Sequence, residues 1–134
     1  MSLQLSVGAR NARLDAIEST AGTAVLLKMY TGSVPANCAA AATGTLLATL
    51  TLPSDWLSAA SSGSKALAGT WSGTGAAAGS AGYFRVYDSA GTTCHIQGTI
   101  TATGGGGDMT LDNVVIANAQ AISVTSFTLT DANA

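Results

Sequence analysis

Apolar residues at the start of the chain recur at helical spacing and then, past Thr23, switch to a period near two. Leu3, Val7, Leu14 and Ile17 fall on one stripe while Arg10, Arg13, Asp15 and Glu18 fill much of the rest, which predicts an N-terminal helix within residues 1–22. Ser6 stands where an N-cap would accept a backbone N–H, and Gly22 where a helix would stop.

Residues 24–31, 45–52, 66–71, 83–88, 94–101, 109–116 and 121–130 are short, rich in β-branched and aromatic side chains, and separated by Gly, Ser, Pro or Asn clusters. They read as strands. In 45–52, Leu46, Ala48, Leu50 and Leu52 alternate with Thr45, Thr49 and Thr51, interrupted by Leu47, so a buried face opposes a threonine-coated one. The apolar phase shifts between Val124 and Phe127, which predicts a β-bulge or a bend. The expected fold is a single domain over 1–134. It is mainly β, an antiparallel β-sandwich or jelly roll of about seven or eight strands behind one N-terminal α-helix.

Composition narrows the function classes. Asp, Glu, Lys and Arg make up only 9% of the 134 residues, against roughly 25% in an average domain, so much of the surface is neutral. A net charge of −2 with five scattered cations gives no basic field for a phosphate backbone, and nucleic acid is not an expected partner. No apolar run reaches membrane-spanning length, and charges inside the first eighteen residues argue against a signal peptide. The chain is therefore expected to be made in the cytoplasm. There Cys38 and Cys94, which lack CxxC spacing, are expected as free thiols.

The residues that would carry chemistry do not assemble into a motif. Gly104 to Gly107 precede Asp108, but the run follows one strand and precedes another. It therefore has neither the P-loop nor the dinucleotide context and is expected to be a hairpin connection. Asp108, Asp112 and Asn113 lack the spacing of a calcium loop. His95 is the only histidine, and zinc sites need three or four protein ligands. No GxSxG elbow is present, so no catalytic residue, metal or cofactor is assigned and no enzymatic activity is expected. Trp56 and Trp71 are expected in the core, with sugar stacking as the alternative. In GYFRVYD, Tyr83, Arg85 and Tyr87 share one face of a strand and form the candidate protein interface, with Arg10 and Arg13 of the helix added to it.

Five segments together resemble a family of small tailed-bacteriophage virion-associated proteins: NARLDAIE (11–18), YTGSVPANCAAAATGTLLATLTLPSDW (30–56), GYFRVYD (82–88), ATGGGGDMTLDN (102–113) and SFTLTDANA (126–134). The resemblance implies a virion structural protein, first a capsid decoration (cement) protein of the phage head, second a tail or tail-fibre component. Its implied partners are the major capsid protein or other virion proteins and further copies of itself, as a dimer or trimer. It brings no catalytic residue. A receptor- or carbohydrate-binding module is the competing class, with Trp56, Trp71, Tyr83 or Tyr87 as stacking platforms.

Overall fold

The computed structural model describes residues 3–131. Met1 and Ser2 of the expected helical segment, and 132–134 of the C-terminal one, lie outside the described residues. The described residues form α1 (Val7–Ala21) and then ten strands: β1 (Leu26–Tyr30), β2 (Leu46–Thr51), β3 (Ser64–Ala66), β4 (Ser72–Thr74), β5 (Gly79–Ser80), β6 (Tyr83–Tyr87), β7 (Cys94–Ala102), β8 (Met109–Leu111), β9 (Val115–Ile116) and β10 (Ala121–Thr130). The main sheet runs β2-β1-β6-β7-β8-β10-β3, with β4 also pairing β10, and β5 and β9 form a separate ribbon. The sheet curls until β4 returns to β2: a Cβ on Gly73 would stand 2.8 Å from Leu50 Cγ. The result is a β-sandwich with an N-terminal helix.

The expected helix caps are present. Ser6 Oγ accepts from the Ala9 N–H, and the Gly22 N–H bonds Glu18 O at φ +91°. The buried stripe differs from the expected one. Arg10, Leu14 and Ala21 face inward, whereas Leu3 and Val7 are 75% and 49% exposed. A second stripe explains the docking. Asn11 Oδ1 accepts from Gly63 N at 2.9 Å, Asp15 Oδ1 from Ala60 N at 3.3 Å, and Glu18 Oε2 from Leu57 N at 2.9 Å. Just beyond the helix, Gly22 O accepts from Trp56 Nε1 at 3.0 Å. These positions follow i, i+4, i+7 and i+11, one helix face, so α1 lies along the 56–63 segment and satisfies backbone donors that no strand pairs.

Bulges set the phases that alternation left ambiguous. In the β1–β2 ladder Met29 opposes Ala48 while Tyr30 opposes Leu46. Leu47 is thus the extra residue, turning inward and leaving Leu46 outside. The shift expected near Val124 lies between Val124 and Ser126. The core holds Trp56 and Trp71, as expected, in an aromatic chain: Trp56–Trp71 at 6.0 Å, Trp71–Phe127 at 5.3 Å, and Phe84 edge-on to Phe127 at 5.6 Å. Trp71 Nε1 is satisfied by the Trp56 and Ala68 carbonyls, both at 3.1 Å.

The four-glycine run is not a hairpin. β7 and β8 pair in parallel, Ile100 opposite Met109, and the intervening 103–108 folds back along Thr101. Parallel neighbours normally need a dozen or more connecting residues; here the glycines shorten the path. Gly104 and Gly106 take φ +86° and +81° in open space, while a Cβ on Gly105 or Gly107 would come within 2.7–2.9 Å of Thr101. Two glycines serve the turn and two the close approach. The segment read as one strand over 109–116 divides into β8 and β9. β4 and β5, in a Gly- and Ser-rich stretch, carried no strand signal.

Candidate functional site

β6 points Phe84 and Val86 into the core, so Tyr83, Arg85 and Tyr87 project to its other side. The sequence reading offered that side as an exposed interface. Instead all five residues of β6 are buried, because the 31–44 segment folds over the outer face. Thr31 N bonds Thr45 O and Thr45 N bonds Thr31 Oγ1, which closes the base of this loop. Tyr83 Oη then holds its far limb, donating to Thr43 O at 2.6 Å and accepting from Thr43 N at 2.9 Å.

Arg85 is the centre of the arrangement. Its Nη2 donates to Asn37 O at 3.1 Å and Ala40 O at 2.7 Å, its Nε to Gln97 Oε1 at 3.1 Å, and its Nη1 to Tyr87 Oη at 3.4 Å. Gln97 stands opposite Arg85 on β7 and donates its own Nε2 to Pro35 O at 2.8 Å. Asn37 Oδ1 accepts from Ala39 N and Ala40 N, an Asx turn that fixes the two carbonyls facing the guanidinium. Around this centre Tyr30 stacks on Tyr83 at 5.0 Å, and Lys28 Nζ lies 4.8 Å from the Tyr87 ring centroid. Burial, and then the Tyr87 hydroxyl, push the Tyr30 phenol well above its ordinary range. What sequence reading took for an interface is therefore an internal clamp that folds a loop around one arginine.

Arg10 and Arg13 stand apart from that cluster. Arg13 is exposed and pairs through Nε with Asp131 Oδ2 at 3.1 Å. Arg10 is buried beneath Gly63, and among the described residues its Nε has no hydrogen-bond partner. The sequence reading missed Lys65, which is 2% exposed and held by Asp15 Oδ1 at 2.7 Å and Glu18 Oε1 at 3.1 Å. The one signal for it was the i, i+3 spacing of Asp15 and Glu18, which reads equally well as a solvent-facing pair. Burial alone would lower the Lys65 pKa, but the hydrogen bonds it donates to its two carboxylates outweigh burial and raise it.

The oxygens weighed as metal ligands have structural partners. Asp108 Oδ2 accepts from Thr99 N and Oγ1, Asp112 Oδ1 from Asn113 N and Ser123 N, and Asn113 Oδ1 from Val115 N. Among the described residues no three His, Cys, Asp or Glu side chains are grouped to hold a metal ion. His95 lines a shallow cleft of about 220 Å³ with Arg13, Ala16, Ile17 and Thr20. Among the described residues no helix is long and apolar enough to cross a membrane.

The exposed surface of the sandwich has its own pattern. Ser123, Thr125, Ser126, Thr128 and Thr130 are all exposed on β10, a strand without a charged residue. Thr110, Thr125 and Ser126 share hydroxyl contacts of 2.6–2.7 Å, and Thr103 reaches Thr125 at 2.8 Å. All seven aromatic side chains of the protein are buried. No protein-family model, no curated protein and no solved structure matches the chain.

Proposed function

We propose that this protein is a bacteriophage virion structural protein that binds and stabilises the head shell as a decoration protein. In this role it has no catalytic activity, contacts the major capsid protein, and associates with further copies of itself as a dimer or trimer. The observation that carries this reading beyond the sequence resemblance is the neutral hydroxyl row of β10. A charge-free polar surface packs against a repeated neighbour without like-charge repulsion or the desolvation of ions, and weak contacts then add over many copies. The exposed Leu3, just before α1, and Val7 at its first residue supply apolar anchors. A sugar-stacking role loses support because each aromatic ring is already buried.

Quantitative mass spectrometry of purified particles tests the assignment. A copy number of the same order as the major capsid protein is the expected result. A few copies per particle would move the protein to the tail, and its absence from particles would overturn the structural reading. Removing α1 is a poor probe of shell docking, since it would strip Lys65 of both carboxylates. Leu3→Asp combined with Val7→Asp leaves those contacts in place and should weaken particle binding about tenfold or more, given ~1.5–3 kcal/mol for a fully buried apolar side chain.

A further inference from the structure

The loop that covers β6 brings the two cysteines together. Cys38 lies between Asn37 and Ala40, the residues whose carbonyls accept from Arg85 Nη2. Cys94 starts β7 opposite Tyr87, whose hydroxyl accepts from Arg85 Nη1. One guanidinium thus positions both segments, and Cys38 is near enough to Cys94 to be among the groups that raise its pKa. Both thiols are free and half-buried. We propose that Cys38 and Cys94 form a modification site, at which a low-molecular-weight disulfide such as oxidised glutathione drives an intramolecular bridge that fastens the 31–44 loop to β7.

The exchange balances in two steps. The Cys38 thiolate, on the covering loop, attacks one sulfur of the glutathione disulfide. That S–S bond breaks as a protein–glutathione S–S bond forms, and one glutathione leaves as a thiolate that takes up a proton. Cys94, having given its proton to solvent, attacks the Cys38 sulfur and expels the second glutathione. Two protein thiols are oxidised and one disulfide is reduced to two thiols. Burial, and then the neighbouring Cys38 thiol, push Cys94 up to about 12, so the first attack falls to Cys38, and the attack by Cys94 is the slower step, helped only by being intramolecular. The inference is independent of the virion assignment, because it rests on the loop's own contacts.

The test incubates the full chain with oxidised glutathione, then alkylates and maps the peptides. A linked Cys38–Cys94 peptide pair, an intact mass lower by two hydrogen atoms, and a monomer on a non-reducing gel are expected. The bridge should raise the thermal midpoint by about 5 °C or more, reversibly with reductant, and Cys38→Ser or Cys94→Ser should abolish the rise. Stable glutathione adducts without a bridge, disulfide-linked dimers, or two thiols that stay unmodified would each overturn the proposal. The mapping on the unsubstituted protein decides the matter even if a serine variant fails to fold.

Discussion

Lys65 and Arg85 are each left only 2% exposed, yet the molecule accommodates these two cations in different ways. Lys65 sits beneath α1 between Asp15 and Glu18. Arg85 sits beneath the 31–44 loop among neutral oxygens: two carbonyls, an amide and a phenol. The first is ion pairing between two elements. In the second an otherwise irregular loop is folded around a fork of donors. Arginine suits this second task because its guanidinium stays protonated and presents donors in several directions at once. A charge can thus be buried by opposite charge, which titrates in acid, or by oriented neutral dipoles, which do not.

Replacing each cation by methionine separates the two solutions. Arg85→Met would leave the Asn37, Ala40 and Gln97 oxygens without their donor. It should lower unfolding stability in urea by about 3–5 kcal/mol, the sum of several hydrogen bonds to a charged group. Lys65→Met should cost less, about 1–3 kcal/mol, because the Asp15 side chain is 55% exposed and re-solvates where it stands. Equal losses would mean that the loop rehydrates as readily as the helix surface. Arg85→Lys should recover only part of the loss, since an ammonium cannot span the same acceptors.

A glycine in each region sharpens the contrast at smaller magnitude. Gly44 at φ +79° ends the covering loop, where a Cβ would meet the backbone carbonyl of Thr31; Gly63 at φ +73° faces the guanidinium of Arg10. Both carry roughly 1–2 kcal/mol of left-handed strain when replaced. A backbone carbonyl cannot swing aside as the end of an arginine can, so Gly44→Ala should be the more destabilising of the pair. A thermal melt of the two variants checks the order.

Acid gives the smallest effect and the cleanest separation. The hydrogen bond from Lys65 lowers the Asp15 pKa from 3.8. Its contribution is therefore present above that unfolded value and lost as pH falls through the lower folded one. Lys65 is raised above 10.5, so its share is present below that value and lost only as pH climbs through the higher folded one. Amide exchange at about pH 3 compared with about pH 5 should show a reduced protection factor at Ala60, which donates to Asp15. Thr43, bonded to the Tyr83 hydroxyl, should keep its protection. A parallel fall at both sites would show that the two regions open together.

Local pattern determined much of this protein from the sequence alone. Ser6 and Gly22 bound the helix, the alternation of 45–52 and the phase shift in 121–130 located strands and a bulge, and the two tryptophans went to the core. These features depend on neighbours within a few residues, which periodicity and capping chemistry report. Tertiary structure alone decided the rest. An alternating strand such as GYFRVYD shows that two faces exist but not what covers them, so Arg85 was legible as a face and not as the centre of a loop. The parallel return at Gly104–Gly107 turned on the space beside Thr101, and the approach of Cys38 to Cys94 on a loop closing over a distant strand. Each of these rests on contacts between residues far apart along the chain, whose closure depends on the assembled sheet rather than on local preference.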